Sequence, residues 1–174
     1  MGIALIAKPA LNRRFSIVTF GIAQVIMDIE PGIRMWASAD VLHGPTHSIL
    51  GALILAFLVM QIAPSICNYL VAKWNKEVSH YKQPWLLHSD PVSKSAVAFG
   101  ALFGTLSHLV LDSLIHHDIH PLSPFLAANP LSDLVTHDGV YQACTIMGVV
   151  GIAAWLAAQC TRHYRTKLGK RHGA

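Results

Sequence analysis

Charge is what this chain has least of. Asp, Glu, Lys and Arg make up 13% of its 174 residues and hydrophobic side chains 53%, whereas soluble domains carry about 25% charged residues. A chain of this length makes one domain, and a water-soluble domain so poor in charge would expose apolar patches large enough to aggregate. The mean hydropathy of +0.45 points to a bilayer instead. Cysteine is scarce too: Cys67, Cys144 and Cys160 are odd in number and lie in apolar runs, which argues against a disulfide framework. A cleavable leader is not evident, because Met1 to Ala7 is short, Pro9 interrupts it, and Asn12-Arg13-Arg14 follows without a small-residue cleavage site. The first apolar helix is therefore expected to be retained. Internal repeats and low-complexity stretches are also missing.

The long apolar runs that remain predict an all-α, polytopic membrane protein. The reading is a single integral membrane domain over 1–174, a bundle of four transmembrane helices at about 15–30, 48–72, 95–116 and 140–161. The first is short for a hydrocarbon core about 30 Å thick. The second contains Pro64, which membrane helices tolerate. The third carries Gly100, Gly104 and Ser107 near four-residue spacing and the fourth Gly148, Gly151 and Ala154, small faces suited to close helix packing. Between them, His116 to Gly139 holds Pro121, Pro124, Pro130, Asp133 and Asp138, and reads as an irregular or re-entrant His/Asp-rich outer loop. Trp36, Trp74, Trp85 and Tyr141 flank the runs as interface anchors.

Lysine is absent from two of the loops, and that absence sets the orientation. Lys8, Arg13 and Arg14, then Lys73, Lys76, Lys82 and Lys94, then Arg162, Arg165, Lys167, Lys170 and Arg171 fall on one side if there are four spans. The positive-inside rule makes that side, with both termini, cytoplasmic. The same placement accounts for the net charge of +4 without a nucleic-acid partner; the partner is the lipid bilayer. His80, His88, His163 and His172 lie on this side and read as solvated, while Thr136-His137-Asp138-Gly139 reads as a helix cap.

The ionisable residues left over gather on the other side. Asp28 and Glu30 close the first helix, His43 and His47 open the second, His108 and Asp112 lie in the outer half of the third, and His116, His117, Asp118 and His120 follow. Ionisable groups within a membrane are costly, and a functional role is the default reading. His108, Asp112 and His116 are spaced to form one stripe on a continuous helix. Pro45 suits a first helical turn, so His43 and His47 can both face the bundle. Imidazole with carboxylate from facing helices suits zinc, manganese or iron, as one ion or two. Singly, each signal has a plain structural explanation: His108 with Asp112 makes a buried hydrogen-bonded pair, and Asp28 snorkels to the interface. Those explanations do not account for one shared membrane side.

Asp28-Ile29-Glu30-Pro31, His43-Gly44-Pro45-Thr46-His47-Ser48 and Ser107-His108-Leu109-Val110-Leu111-Asp112, followed by Pro121-Leu122-Ser123-Pro124-Phe125, resemble the membrane-bound, predicted metal-dependent hydrolase family that includes a LexA-regulated inner-membrane protein of bacteria. The resemblance implies a multi-pass protein of the bacterial inner membrane. It also implies that Asp28, His47, His108 and Asp112 are metal ligands, with His43 and Glu30 as further ligands or supporting groups. The chain departs from the family in lacking an N-terminal histidine that many relatives carry and in having the extra cluster His116-His117-Asp118-Ile119-His120.

The expected function is metal-dependent hydrolysis at the outer membrane face. One or two divalent ions, zinc first, would be held by Asp28, His43, His47, His108 and Asp112, with Glu30, His116 and His120 in catalytic roles and His116 or His120 moving the proton. The substrate is an ester or phosphoester, with a lipid or lipid-linked molecule as one form it can take. Two rivals use the same residues. A di-iron membrane oxidoreductase would use His43-x-x-x-His47 and His116-His117-x-x-His120, although such enzymes usually place their histidines on the cytoplasmic side. A small metal-ion or proton transporter would need a polar path onward, for which Gln24 and Gln61 are the only obvious candidates, so that path reads as closed.

Overall fold

The computed structural model describes residues 2–11, 14–87 and 91–171, with the backbone alone for 9, 10, 85 and 162–171. Arg13, His88 and His172 lie outside the described residues. Five α-helices appear and, among the described residues, no strand: α1 Gly2–Leu11, α2 Ile17–Trp36, α3 Ile49–His80, α4 Lys94–Ile115 and α5 His137–Arg171. Serine starts three of them. Ser16, Ser48 and Ser93 each accept a backbone N–H three residues on, at 3.2, 3.0 and 3.2 Å, which satisfies one of the donors every helix N-terminus leaves open.

Among the described residues, three helices are long and apolar enough to cross a membrane: Ile49–His80, Lys94–Ile115 and, within α5, His137–Thr161. The fourth expected span, α2, has 20 residues, but Asp28, Glu30 and Arg34 in its last two turns keep it out of that class. It continues past Pro31 to Trp36 rather than ending near residue 30. Proline removes an N–H and crowds the carbonyl four residues back, yet a helix held by neighbours absorbs this. Likewise α3 and α5 extend to His80 and Arg171, well beyond the apolar windows at 48–72 and 140–161. Hydropathy marks the greasy part of a helix, not its ends.

Small residues let the helices approach. Ala23, Ala56, Val59, Ala63, Cys67, Val97 and Ala101 form a fully buried seam between α2, α3 and α4. A Cβ on Gly100 would stand 2.6 Å from the Ser16 carbonyl, and one on Gly104 would stand 2.6 Å from the Ala23 methyl. α2 therefore rests directly on the glycine face of α4. The small face of α5 meets a partner the sequence did not suggest, the short helix α1. Gly2 lies on the Cys144 carbonyl and Gly151 on the backbone of Leu5. Ala4, Phe15 and Phe20, with Phe103, tie that corner to α2 and α4.

The helix directions gather one set of ends. The C-termini of α2 and α4 meet the N-termini of α3 and α5, while Lys73, Lys76, Lys82 and Lys94 lie at the opposite end. Residues 116–136 form turns at the first end. Ile119 from that segment is fully buried against Met27, Ala52 and Leu109, and the Pro121 carbonyl accepts Ile49 N–H at 2.8 Å. Asn129 closes the C-terminus of α4, its amide nitrogen donating to the carbonyls of Ser113 and His116 at 2.9 and 3.1 Å.

Candidate metal centre

Three local features bring the side chains together. α2 delivers Gln24 and Asp28 one turn apart on one face and Glu30 from a neighbouring face. The Pro45–His47 3-10 turn, with Ser48 capping α3, delivers His43, Thr46 and His47. The turn sits so close to α3 that a Cβ on Gly51 would collide with the Pro45 carbonyl. α4 supplies His108 and Asp112 one turn apart. Together they place Asp112 Oδ2 at 3.0 Å from His108 Nε2 and 3.6 Å from His47 Nε2, with Asp28 Oδ1 3.3 Å from His108 Nε2.

Which ring nitrogens carry protons follows from the outer partners. The Gln24 amide nitrogen donates to the Gly104 carbonyl at 2.7 Å, which turns its oxygen toward His108 Nδ1 at 3.3 Å. That oxygen only accepts, so Nδ1 of His108 is the donor and, in the neutral ring, Nε2 keeps a lone pair. The Thr46 hydroxyl donates to Glu30 Oε2, leaving its oxygen to accept from His47 Nδ1 at 3.1 Å. His47 Nε2 is then also a lone pair. Glu30 is fixed in turn by Thr46 N–H at 3.0 Å and by Arg34 at 3.1 Å. Asp118 accepts from His43 Nδ1 at 2.9 Å and from the backbone N–H groups of Leu42 and His43 at 3.0 and 3.1 Å. Nε2 of His43 is the third lone pair.

The consequence, with both rings neutral, is a set of acceptors facing an acceptor, which a bound metal ion resolves, as does a proton on either ring. His47 Nε2 and His108 Nε2 are buried with no hydrogen-bond partner, and the group facing both is a carboxylate, which also only accepts. A buried acceptor left unpaired costs about 1–3 kcal/mol. The separations of 3.0, 3.3 and 3.6 Å bracket the distance of about 3.3 Å between two ligands on a tetrahedral ion with bonds of about 2.0–2.1 Å. A ring nitrogen whose other N–H is held by a carbonyl, hydroxyl or carboxylate is the usual form of a metal-binding histidine.

Among the described residues, ligand atoms come within 4.8 Å of one another in three groups: His43, His47 and Asp112; Asp28, His108 and Asp112; and His43, His116 and Asp118. Asp112 is common to the first two, so it would help to hold an ion in either group. Asp28, with 64% of its side chain exposed, stands on the open side, whereas His47 is fully covered.

All five expected ligands thus meet in one place. The remaining expected residues part company. His116 is not on the His108–Asp112 stripe: α4 ends at Ile115, and His116 adopts extended backbone, carrying its ring to 4.6 Å from that of His43. Burial and then the neighbouring His43 hold its imidazole below the ordinary range. His120 is exposed and joins none of the groups. Glu30 joins none either; it acts on His47 through Thr46. His117 and Asp133 face each other in the open at 3.9 Å, and Thr136 caps α5 by accepting Gly139 N–H at 3.2 Å. Sequence reasoning missed Gln24, Thr46 and Asp118 as supports. Only Thr46, adjacent to His47, carried a local hint.

A family model described as the YdjM inner membrane protein matches residues 7–168 of the chain. No curated protein and no solved structure matches.

Proposed function

We propose, for a chain that belongs to the YdjM inner membrane protein family, a metal-dependent hydrolase embedded in the membrane, acting on an ester or phosphoester. The observation that carries this reading is the pair of buried, unpartnered Nε2 lone pairs on His47 and His108, aimed at one carboxylate. His43, His47, His108, Asp28 and Asp112 bind one or two divalent ions, and the mixed imidazole and carboxylate set suits zinc. Such an ion, when bound, supplies Lewis acidity and makes water a nucleophile near neutral pH.

The chain's own groups do the rest. Gln24 and the Glu30–Thr46 relay hold the two imidazoles in the binding tautomer. Asp28 leaves one side of the site open to substrate, while Ile119 and the 116–136 segment cover the other. His116, neutral because it is held below the ordinary range, accepts the proton of water on a ring nitrogen and returns it to the leaving oxygen. The orientation that fits the basic residues makes α2 a fourth span, places Lys73 to Lys94 in the cytoplasm and puts the site at the outer face. Zinc-loaded protein is expected to hydrolyse an ester or phosphodiester, and the rate should vanish with chelator and in His47→Ala. An unchanged rate in either would overturn the proposal.

A further inference from the structure

Although loop residues cover the helix ends, the site is open sideways. Between α4 and α5 lies a cleft of about 420 Å³, within the range of about 300–1,000 Å³ usual for small-molecule sites. Leu111 and Ile115 on α4, Leu5 on α1, and Tyr141 and Thr145 on α5 line it, and among the described residues its charged wall is Asp112. The cleft exists because α5 packs mainly on α1 and touches α4 lightly. α1 acts as a spacer. The Thr145 hydroxyl donates to the Tyr141 carbonyl of its own helix at 2.8 Å, so it presents no unmet donor to an apolar guest.

Two observations say what the guest is. The cleft lies along two helices able to cross a membrane, so hydrocarbon chains are the molecules at its mouth. At the same end Trp36 and Phe125 are each 90% exposed, which suits burial in the interfacial layer and sets the mouth just below it. We propose that the cleft takes the hydrocarbon tail of a membrane lipid whose ester or phosphoester group reaches Asp112. The reaction rests on the hydrolytic reading above; the binding does not. Water adds across the lipid's bond: its oxygen joins the acyl carbon or phosphorus, the bond to the leaving oxygen breaks, and that oxygen takes the proton. The tailed product leaves by the way it came.

The test uses full-length protein reconstituted in phosphatidylethanolamine–phosphatidylglycerol vesicles, exchanged into detergent and weighed intact by native mass spectrometry. Thr145→Trp fills the cleft from α5 and Leu111→Trp from α4, while Ile146→Trp, on an exposed face outside it, is the control. Wild type and Ile146→Trp are expected to retain a phospholipid, and the two cleft variants to retain about fivefold less or lower, because a small-to-large change leaves no room for the chain, with metal content unchanged. Equal retention in all four proteins would overturn the proposal. Retained phospholipid that the zinc-loaded protein does not hydrolyse would support the cleft and overturn the hydrolytic role instead.

Discussion

Two buried polar clusters lie at opposite ends of the same bundle, and they end differently. At the basic end Ser16, Thr19 and Cys67 satisfy one another: Thr19 donates its hydroxyl to Ser16 at 2.9 Å, Ser16 caps Thr19 N–H at 3.2 Å, and the Cys67 thiol lies 3.4 Å from the Thr19 hydroxyl. At the other end His47, His108 and Asp112 oppose acceptor to acceptor. Both are polar groups in apolar surroundings, but only the first is complete as a set of hydrogen bonds. A polar cluster with a missing donor asks for a ligand; a closed one asks for nothing.

Asp112→Asn breaks this contrast most sharply. An amide offers N–H to the stranded nitrogens, so metal content should fall about 100-fold or more, the shared ligand being lost, while the metal-free variant is as stable as wild type or more so. Thermal unfolding with and without chelator checks it, and a metal-free variant less stable than metal-free wild type would count against the lone-pair assignment. Thr46→Val cuts the relay between Glu30 and His47; a loss of about 10- to 100-fold in metal affinity is expected. Gln24→Leu should lie at the lower end of that range, since its bond to His108 is longer, 3.3 Å against 3.1 Å. Metal titration of the purified variants decides both.

These supports also show how far the site was legible in the sequence. The segments holding Asp28, His43, His47, His108 and Asp112 could be read because one-turn spacing and intramembrane charge are local properties. His116 could not be placed, since nothing in Leu114-Ile115-His116 marks the end of α4; the end is enforced by Asn129 from a distant turn. Gln24 read only as a candidate for a transporter's polar path until α4 supplied Gly104 and His108 as its partners. The helix α1, with Pro9 in it, is too short to stand alone, and its fold comes from docking on α5. Hydropathy found the spans of α3 to α5 and the apolar part of α2 at about 15–30, but not the continuation of α2 to Trp36, whose charged last turns belong to the site.

Smaller effects sharpen the other side of the comparison. Cys67→Ala in the closed cluster should leave metal content unchanged and cost about 0.6 kcal/mol, the mean for an interhelical hydrogen bond in a membrane; unfolding in detergent measures it. The smallest effect concerns the loop. Partial burial opposes ionisation of Asp118, but the backbone and ring hydrogen bonds from His43 outweigh it and hold the carboxyl down at about 2. A folded-state value below the unfolded one stabilises above the unfolded value of 3.8 and loses that contribution as pH falls toward 2. Limited proteolysis of the 116–136 segment should therefore stay constant down to about pH 4 and rise below it, and Asp118→Asn should show the raised rate at neutral pH.

Elemental analysis of detergent-purified wild type beside the double variant His108→Ala, Asp112→Ala tests the central claim most directly, with Thr19→Val as the control from the closed cluster. Wild type and Thr19→Val should carry bound divalent metal and the double variant none. Equal metal in all three, or none in wild type after incubation with zinc, would contradict the account.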